Sequence, residues 1–161
     1  MKKRRVVITG LGVVSPVGND VNDSWSNIVN GVSGIALIEN INTDDQAVKI
    51  GGAIKNLDIS QYLSPKEAKK MDIFIHYGMA AGIQAFEDSG IEVTESNADR
   101  IGVAIGAGIG GLTTIEKTAD LFREKGPRRI SPFFVPSSII NMVSGNLSIK
   151  YGLKGPNFAI V

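Results

Sequence analysis

Glycines that follow a predicted strand are the first residues of this sequence with a chemical meaning. Gly106, Gly108 and Gly111 fit the pattern Gly-x-Gly-x-x-Gly between a predicted strand and a predicted helix, which is the setting of a dinucleotide-binding turn. Such a unit should bring an acidic residue on a second strand about 20 residues further on, but a Gly-Pro turn and an aromatic segment follow instead. We therefore interpret the motif as a turn whose glycines allow close helix packing. A pyrophosphate-binding loop is the alternative.

Basic residues form a second group that could bind an anion. Lys66, Lys69 and Lys70 fall in the first turns of a predicted helix, where positive charge is unfavourable because the helix dipole is positive at that end. Three lysines at a helix N-terminus make an anion site, and Arg128 and Arg129 would add charge if the fold brings them near. Ordinary solvated lysines are the alternative.

Nucleophiles and metal ligands are scarce. The 161 residues contain no Cys and one His, which excludes disulfides, a thiolate zinc site and a cysteine nucleophile among them. His76 has no second His and no suitably spaced carboxylate, so we interpret it as a structural histidine. Ser15, Ser137 and Ser138 lack the Gly-x-Ser-x-Gly setting of a hydrolase nucleophile. We predict no catalytic residue, no metal site and no cofactor in this chain.

The overall charge and hydropathy also limit the partners. The 17 Lys+Arg and 16 Asp+Glu give a formal net charge of +1, which removes the electrostatic argument for nucleic acid. The basic start from Lys2 to Arg5 and the apolar residues after it look like a signal peptide only superficially, because Thr9, glycines and Pro16 interrupt the apolar run. No stretch reaches the roughly 18 apolar residues of a membrane span. We expect a cytoplasmic protein with no nucleic-acid or membrane partner.

The elements that must position these residues alternate between strands and helices. Short apolar runs predict strands at residues 6–8, 101–105 and 158–161. Helical spacing of apolar residues predicts helices at residues 22–31, 64–90, 112–126 and 136–151. Residues 33–63 give weak signals and are left unassigned. Strands separated by helices predict an α/β fold with a parallel or mixed sheet and helices on its faces.

The strongest local signal begins at Ser64. Ser64-Pro65-Lys66-Glu67 combines an N-cap serine, a proline at the first helical position and a glutamate at the third, which is a capping box. Apolar residues recur at helical spacing until Gly90 ends the predicted helix. Gly78, Ala81 and Gly82 would let another backbone approach closely, so we predict a core helix packed tightly against a sheet or a second helix.

Several stretches, in this order, resemble the N-terminal part of the β-ketoacyl-acyl-carrier-protein synthases, closest to the type II enzymes of bacterial fatty acid synthesis. The stretches are residues 4–12, Ser15-Pro16-Val17-Gly18, Lys69-Lys70-Met71-Asp72, residues 106–111, residues 130–137, Asn141-Met142 and residues 151–156. The resemblance implies an α/β thiolase-like fold, of which residues 1–161 are an incomplete N-terminal domain that covers part of the first half. It also implies that the nucleophile helix and the C-terminal half follow Val161, since the family's cysteine comes a few residues after this last strand.

The activity that the resemblance implies is the elongation of an acyl group, delivered by acyl-acyl carrier protein, through decarboxylative Claisen condensation with malonyl-acyl carrier protein in fatty acid synthesis. No position of this chain matches a catalytic residue, so the isolated chain is expected to be inactive. Positions that match substrate contacts are Ile109, Ile115, Phe134 and Val135. Positions that match contacts to the acidic carrier protein are Lys66, Lys69, Lys70, Arg128 and Arg129. A homodimer through residues 158–161 is implied as well. The alternative is a non-catalytic module that binds carrier protein or a partner subunit.

Overall fold

The computed structural model describes residues 4–161, so Lys2 and Lys3 of the basic start lie outside it. The chain forms two compact units, one of the residues up to Asp58 with Ala80–Gly90 and one of Ile59–Met79 with Ile91–Val161. The helices are α1 (Val21–Val29), α2 (Pro65–Ala68), α3 (Ile73–Asp88), α4 (Leu112–Lys125), α5 (Phe134–Ser138) and α6 (Met142–Tyr151). The strands are β1 (Ala36–Leu37), β2 (Ile50–Gly51), β3 (Val103–Gly106) and β4 (Asn157–Ile160), and short 3-10 turns cover Ile59–Gln61, Ala98–Arg100 and Pro127–Arg129.

The first unit contains α1, the short pair of β1 and β2, and the last turns of α3. The predicted first helix is confirmed, and its N-cap is Asp20. The Asp20 side chain accepts a hydrogen bond from Asp23 N at 2.9 Å, which satisfies one of the free N–H groups at the helix start. β1 and β2 pair antiparallel, with Ala36 opposite Gly51.

The prediction of a strand at residues 6–8 is wrong. That segment has no strand, and the side chain of Val6 is 90% exposed. A strand needs a neighbouring strand to take up its N–H and C=O groups, and no such ladder is present there among residues 4–161. The segment that follows is held by side chains of α3, as Leu11 N donates to the Asp88 carboxylate at 2.8 Å.

The second unit contains a parallel strand pair with helices packed on it. β3 and β4 run parallel, with Val103 opposite Asn157 and Gly106 opposite Ile160, which confirms the parallel pairing expected of an α/β fold. α6 packs against both strands. The buried apolar side chains of this unit are Leu63, Ile75, Met79, Ala98, Val143 and Leu147.

The close packing predicted around Gly78 is confirmed within this second unit. A Cβ built on Gly78 would lie 2.5 Å from Cγ1 of Val143, a separation that two carbon atoms cannot adopt without movement. Val143 belongs to α6 and is 2% exposed. The missing side chain of Gly78 therefore lets α3 and α6 pack directly on one another.

The single helix predicted over residues 64–90 is two helices. The capping box is confirmed, because Ser64 Oγ accepts from Glu67 N at 3.3 Å and the Glu67 carboxylate accepts from Ser64 N at 2.9 Å. α2 nevertheless ends after four residues, and α3 begins with a cap of its own. Oδ1 of Asp72 accepts a hydrogen bond from Phe74 N at 3.2 Å, the bond of an N-cap aspartate. Lys69 and Lys70 therefore lie between two helices, contrary to the prediction.

The helix predicted over residues 136–151 is also interrupted. α5 ends at Ser138, and Ile139 is extended with ψ at 142°. The carbonyl of Ser138 accepts from Gly111 N at 2.8 Å and not from the fourth residue after it. Apolar spacing cannot reveal that a distant segment bonds this carbonyl. The helix predicted over residues 112–126 is confirmed, with Gly126 following α4 at φ 75°.

Candidate functional site

The turn between β3 and α4 is packed tightly at its second end, where it leads into α4. Gly110 has φ 89°, in the left-handed region that favours glycine. A Cβ on Gly111 would lie 2.8 Å from both Ser137 O and Ser138 Cα. These are backbone atoms, which cannot rotate aside. The interpretation of the glycines as packing residues is therefore confirmed at this end of the turn.

Asp72 joins the starts of two helices. Its side chain is buried, with 4% of the residue exposed. Besides the bond to Phe74 N, its Oδ2 accepts from Thr114 N in the first turn of α4 at 2.7 Å. A carboxylate at a helix start is stabilised by these hydrogen bonds and by the helix dipole. An N–H group of the kind that a pyrophosphate would use is thus already bonded within the protein, which argues against the dinucleotide alternative.

An apolar cavity of about 550 Å³ lies at the carboxyl end of β3. Its lining includes Phe74, Tyr77, Ile105, Ile109, Leu112 and Val143, and none of its lining residues is charged. The carboxyl end of a parallel strand is where α/β sheets bind ligands, and a concave apolar lining is typical of small-molecule sites. Burial raises the pKa of the Tyr77 phenol above its ordinary value, because the phenolate would lose contact with water.

The predicted substrate-contact residues are not all brought to this cavity. Ile109 lines it from the turn, where it is 68% exposed. Ile115 lies in the first turns of α4, and Phe134 and Val135 open α5. These three residues are not part of the cavity lining. The structure therefore places one of the four residues at a cavity, and their roles remain predictions.

The predicted lysines lie on and after α2. Lys66 belongs to α2, while Lys69 and Lys70 connect it to α3. Nζ of Lys70 stands 4.6 Å from the centre of the Phe133 ring, a cation–π contact. Lys70 thereby links the basic segment to the chain directly before α5.

Arg128 and Arg129 form a separate exposed pair in the turn Pro127–Arg129. In the part of the chain that the structure describes, no hydrogen bond or ion pair joins them to the lysines. Lys150, at the end of α6, is instead the basic residue that approaches α2, and sequence reasoning missed it. Its Nζ donates to Tyr62 O at 3.3 Å. Nothing in the spacing along the chain could have revealed this approach.

The pKa of Glu67 reflects its hydrogen bonds and the lysines around α2. Hydrogen bonds from Ser64 hold the pKa of Glu67 below its ordinary value, and the positive charges of Lys150 and Lys70 lower it further. Glu67 is therefore an ionised cap at neutral pH, and the basic residues Lys66, Lys69, Lys70 and Lys150 outnumber it in this segment. This is the electrostatic arrangement that an acidic partner would meet.

The one histidine has a structural role, as predicted. Nε2 of His76 lies 2.9 Å from Ala68 O, and in the tautomer protonated at Nε2 it donates to that carbonyl. Within residues 4–161, no group of three or more His, Asp or Glu side chains is placed to hold a metal ion. No helix in the same range has both the length and the apolar character needed to cross a membrane.

The parallel pair of β3 and β4 and the glycine turn that leads into α4 define an α/β domain. The family model described as "Beta-ketoacyl synthase, N-terminal domain" matches residues 3–161, and the chain belongs to this family. It is 59% identical over 160 residues to 3-oxoacyl-acyl-carrier-protein synthase 2 of Vibrio cholerae serotype O1. The proteins of the same name from Vibrio harveyi and Staphylococcus aureus strain COL are 58% and 47% identical over 160 residues. Each match covers 99% of this chain and 39% of the relative, so the chain spans 39% of their length.

Solved structures confirm the predicted thiolase-like fold. The ishigamide ketosynthase/chain length factor matches with a TM-score of 0.80 at 20% identity, covering 98% of this chain and 40% of that chain. A ketosynthase solved in complex with its type II polyketide acyl-carrier protein matches with a TM-score of 0.76 at 24% identity, covering 94% of this chain and 40% of that chain. At these identities the similarity concerns the fold.

Proposed function

We propose that the protein containing this chain is a 3-oxoacyl-acyl-carrier-protein synthase of fatty acid synthesis. An acyl group passes to an enzyme thiol, malonyl-acyl carrier protein loses CO₂, and the resulting carbanion attacks the thioester carbon. The attack expels the thiolate and leaves a β-ketoacyl product two carbons longer. The identity of 59% over 160 residues to a synthase of this name is the observation that carries the proposal.

The proposal assigns residues 1–161 to part of the N-terminal domain and assigns the chemistry to the rest of the protein. The curated relatives are longer, and this chain spans 39% of them. The 161 residues contain no Cys, and the hydrogen bond of His76 to Ala68 gives that histidine a structural role. The thiol and the histidines that the chemistry needs are therefore expected outside this chain.

The apolar cavity is proposed to take the acyl chain. An alkyl chain offers no hydrogen-bonding group, and the cavity lining carries no charge, so burial of apolar surface would drive binding. Ile109 would contact the chain from the turn, while Ile115, Phe134 and Val135 would extend the contact, the last two in the partner subunit's pocket. The variant Ile109→Trp should lower kcat/KM for the longest acyl substrates by roughly tenfold, because a lost pocket volume of this kind costs about 1–3 kcal/mol.

A matched control for the cavity is Ile149→Trp. Ile149 lies on α6, is 78% exposed and does not line the cavity. This variant should leave the chain-length profile unchanged in assays of the protein expressed from its complete reading frame. If Ile109→Trp and Ile149→Trp give the same chain-length profile, the proposal that the cavity takes the acyl chain is contradicted.

The basic residues are proposed to bind the acidic acyl carrier protein. Lys66 lies on α2 and Lys69 and Lys70 directly follow it. Arg128 and Arg129 would form a further contact. Lys69→Glu should weaken carrier binding by a factor on the order of 10 at low salt, and by less as salt screens the charges. Isothermal titration with the carrier protein measures this.

The charge control is Lys154→Glu, which makes the same change outside the α2 segment. It should leave carrier affinity within about twofold of the wild type, since exposed charges contribute little at a distance. If the protein containing this chain binds the carrier protein but forms no acyl-enzyme, it is instead the non-catalytic binding module. Acyl-enzyme formation, followed by intact-mass measurement, decides between the two functions.

A homodimer through β4 is also proposed. β4 pairs with β3 on one side, and its Phe158 and Ile160 are 56% and 61% exposed, as expected of side chains that a symmetry-related strand could cover. Sedimentation of the complete protein should give a dimer, and Phe158→Glu should shift it toward the monomer. A wild-type monomer at micromolar concentration would contradict this.

A further inference from the structure

We propose that Asp72 is the positioning residue of the turn between β3 and α4, and that it sets acyl chain-length selectivity by holding Ile109 at the apolar cavity. The selectivity part rests on the proposed function. Asp72 does not line the cavity, so it acts through the turn and not on the substrate.

The backbone of the turn is tied at its two ends. At the first end, Ala107 N donates to Ile160 O at 2.9 Å. At the second end, Gly111 N donates to Ser138 O at 2.8 Å, and the side chain of Asp72 bonds Thr114 N three residues later.

The turn is open at Gly108 and Ile109, directly before the packed Gly110. A Cβ on Gly108 would meet nothing within 4 Å, and Ile109 is largely exposed. The position of Ile109 therefore depends on where the two ends are held. Asp72 is the side chain that fixes the start of α4, because its carboxylate is buried and accepts from both α3 and α4.

The chemistry of this tie needs two acceptor oxygens. Aspartate offers one to Phe74 N and the other to Thr114 N. Serine is a good N-cap, so Asp72→Ser should keep the bond to Phe74, but its single short hydroxyl cannot also reach α4. Asp72→Asn keeps the size of the side chain but has one acceptor oxygen and an NH₂ group that cannot accept. The two variants thus separate capping of α3 from positioning of α4.

Hydrogen exchange tests the tie without any assay of activity. In the protein expressed from its complete reading frame, Asp72→Ser should speed exchange of peptides covering residues 109–116 by roughly tenfold or more, since a hydrogen bond to a charged acceptor is lost. Peptides covering residues 73–79 should exchange as in the wild type. In the isosteric Asp72→Asn, one of the two segments should exchange faster. Unchanged exchange of both segments in the two variants would overturn the proposal.

The chain-length profile tests the selectivity. Asp72→Ser should change the ratio of kcat/KM for long and short acyl-carrier substrates by at least roughly fivefold, because a displaced Ile109 contacts chains of different length unequally. Asp20→Ala is the control, since it removes an N-cap aspartate from α1 in the first unit. It should lower thermal stability and leave that ratio unchanged.

The outcomes separate the two proposals. A wild-type protein that forms no β-ketoacyl product contradicts the proposed function, and hydrogen exchange still decides whether Asp72 holds the turn. An active wild type in which Asp72→Ser and Asp20→Ala give the same substrate ratio overturns the role of Asp72 in selectivity. Faster exchange at residues 109–116 together with a changed ratio supports the whole inference.

Discussion

Gly111→Ala should destabilise the second unit, while the neighbouring Gly108→Ala should not. The added Cβ at Gly111 would lie 2.8 Å from Ser137 O and from Ser138 Cα, against 3.4–4 Å for an ordinary contact. α5 would have to move by about 0.6 Å, and overpacking of this kind costs about 1–3 kcal/mol. The penalty of a positive φ does not apply, because φ at Gly111 is −78°, outside the left-handed region that favours glycine.

Gly108 provides the matched comparison in the same turn. A Cβ there would meet nothing within 4 Å, and its φ is outside the left-handed region. Alanine at this position should be neutral or stabilising by up to about 1 kcal/mol, because it restricts the unfolded chain. Urea denaturation followed by circular dichroism measures the free energy of unfolding of both variants. If Gly111→Ala is no more destabilising than Gly108→Ala, the close packing of this turn on α5 is refuted.

Three further predictions concern charge, packing and a buried hydrogen bond. Because hydrogen bonds from the N-cap serine of α2 hold the pKa of Glu67 below 4.5, its stabilising effect is present above pH 4.5 and is lost as the pH falls below it. The Tm advantage of the wild type over Glu67→Ala should therefore shrink between pH 7 and pH 3, and a constant difference would contradict the cap. Gly78→Ala and Val143→Ala should each lower the free energy of unfolding, the latter by about 2 kcal/mol. In urea titrations the double variant should lose less than the sum of the two single losses, and strict additivity would contradict their contact. Ser144→Ala should cost about 1–3 kcal/mol, because the fully buried hydroxyl of Ser144 donates to Asn157 Oδ1 at 2.8 Å; a loss below 0.5 kcal/mol in thermal unfolding would show that the bond contributes little.

Local signals predicted the elements well where the stabilising contact is itself local. The capping box at Ser64 joins residues three apart, and the end of α4 at Gly126 depends on one backbone conformation. Both can be recognised from adjacent residues. The prediction of a strand at residues 6–8 failed because a strand depends on a partner strand that can lie anywhere along the chain. Apolar composition alone does not provide one.

The sequence patterns did not predict the two helix breaks, for a related reason. Apolar spacing continues through Asp72 and through Ile139, so the pattern predicts unbroken helices. The breaks arise where a group of one segment bonds another far along the chain. Asp72 bonds Thr114 N, and Gly111 N bonds the carbonyl of Ser138. Periodicity records which face of a helix is apolar, and it contains no information on such long-range hydrogen bonds.

For the candidate site, the sequence by itself determined the family, the glycine turn after a strand, the basic residues around α2 and the structural role of His76. These follow from residue types, short spacings and ordered motifs. Only the tertiary structure decided that Ile109 lines an apolar cavity with Phe74 and Tyr77, that Lys150 approaches α2, and that Asp72 ties α3 to α4. The physical reason is that a cavity and a buried carboxylate with two donors exist only once distant segments pack, because their free energy comes from burial and from bonds between those segments.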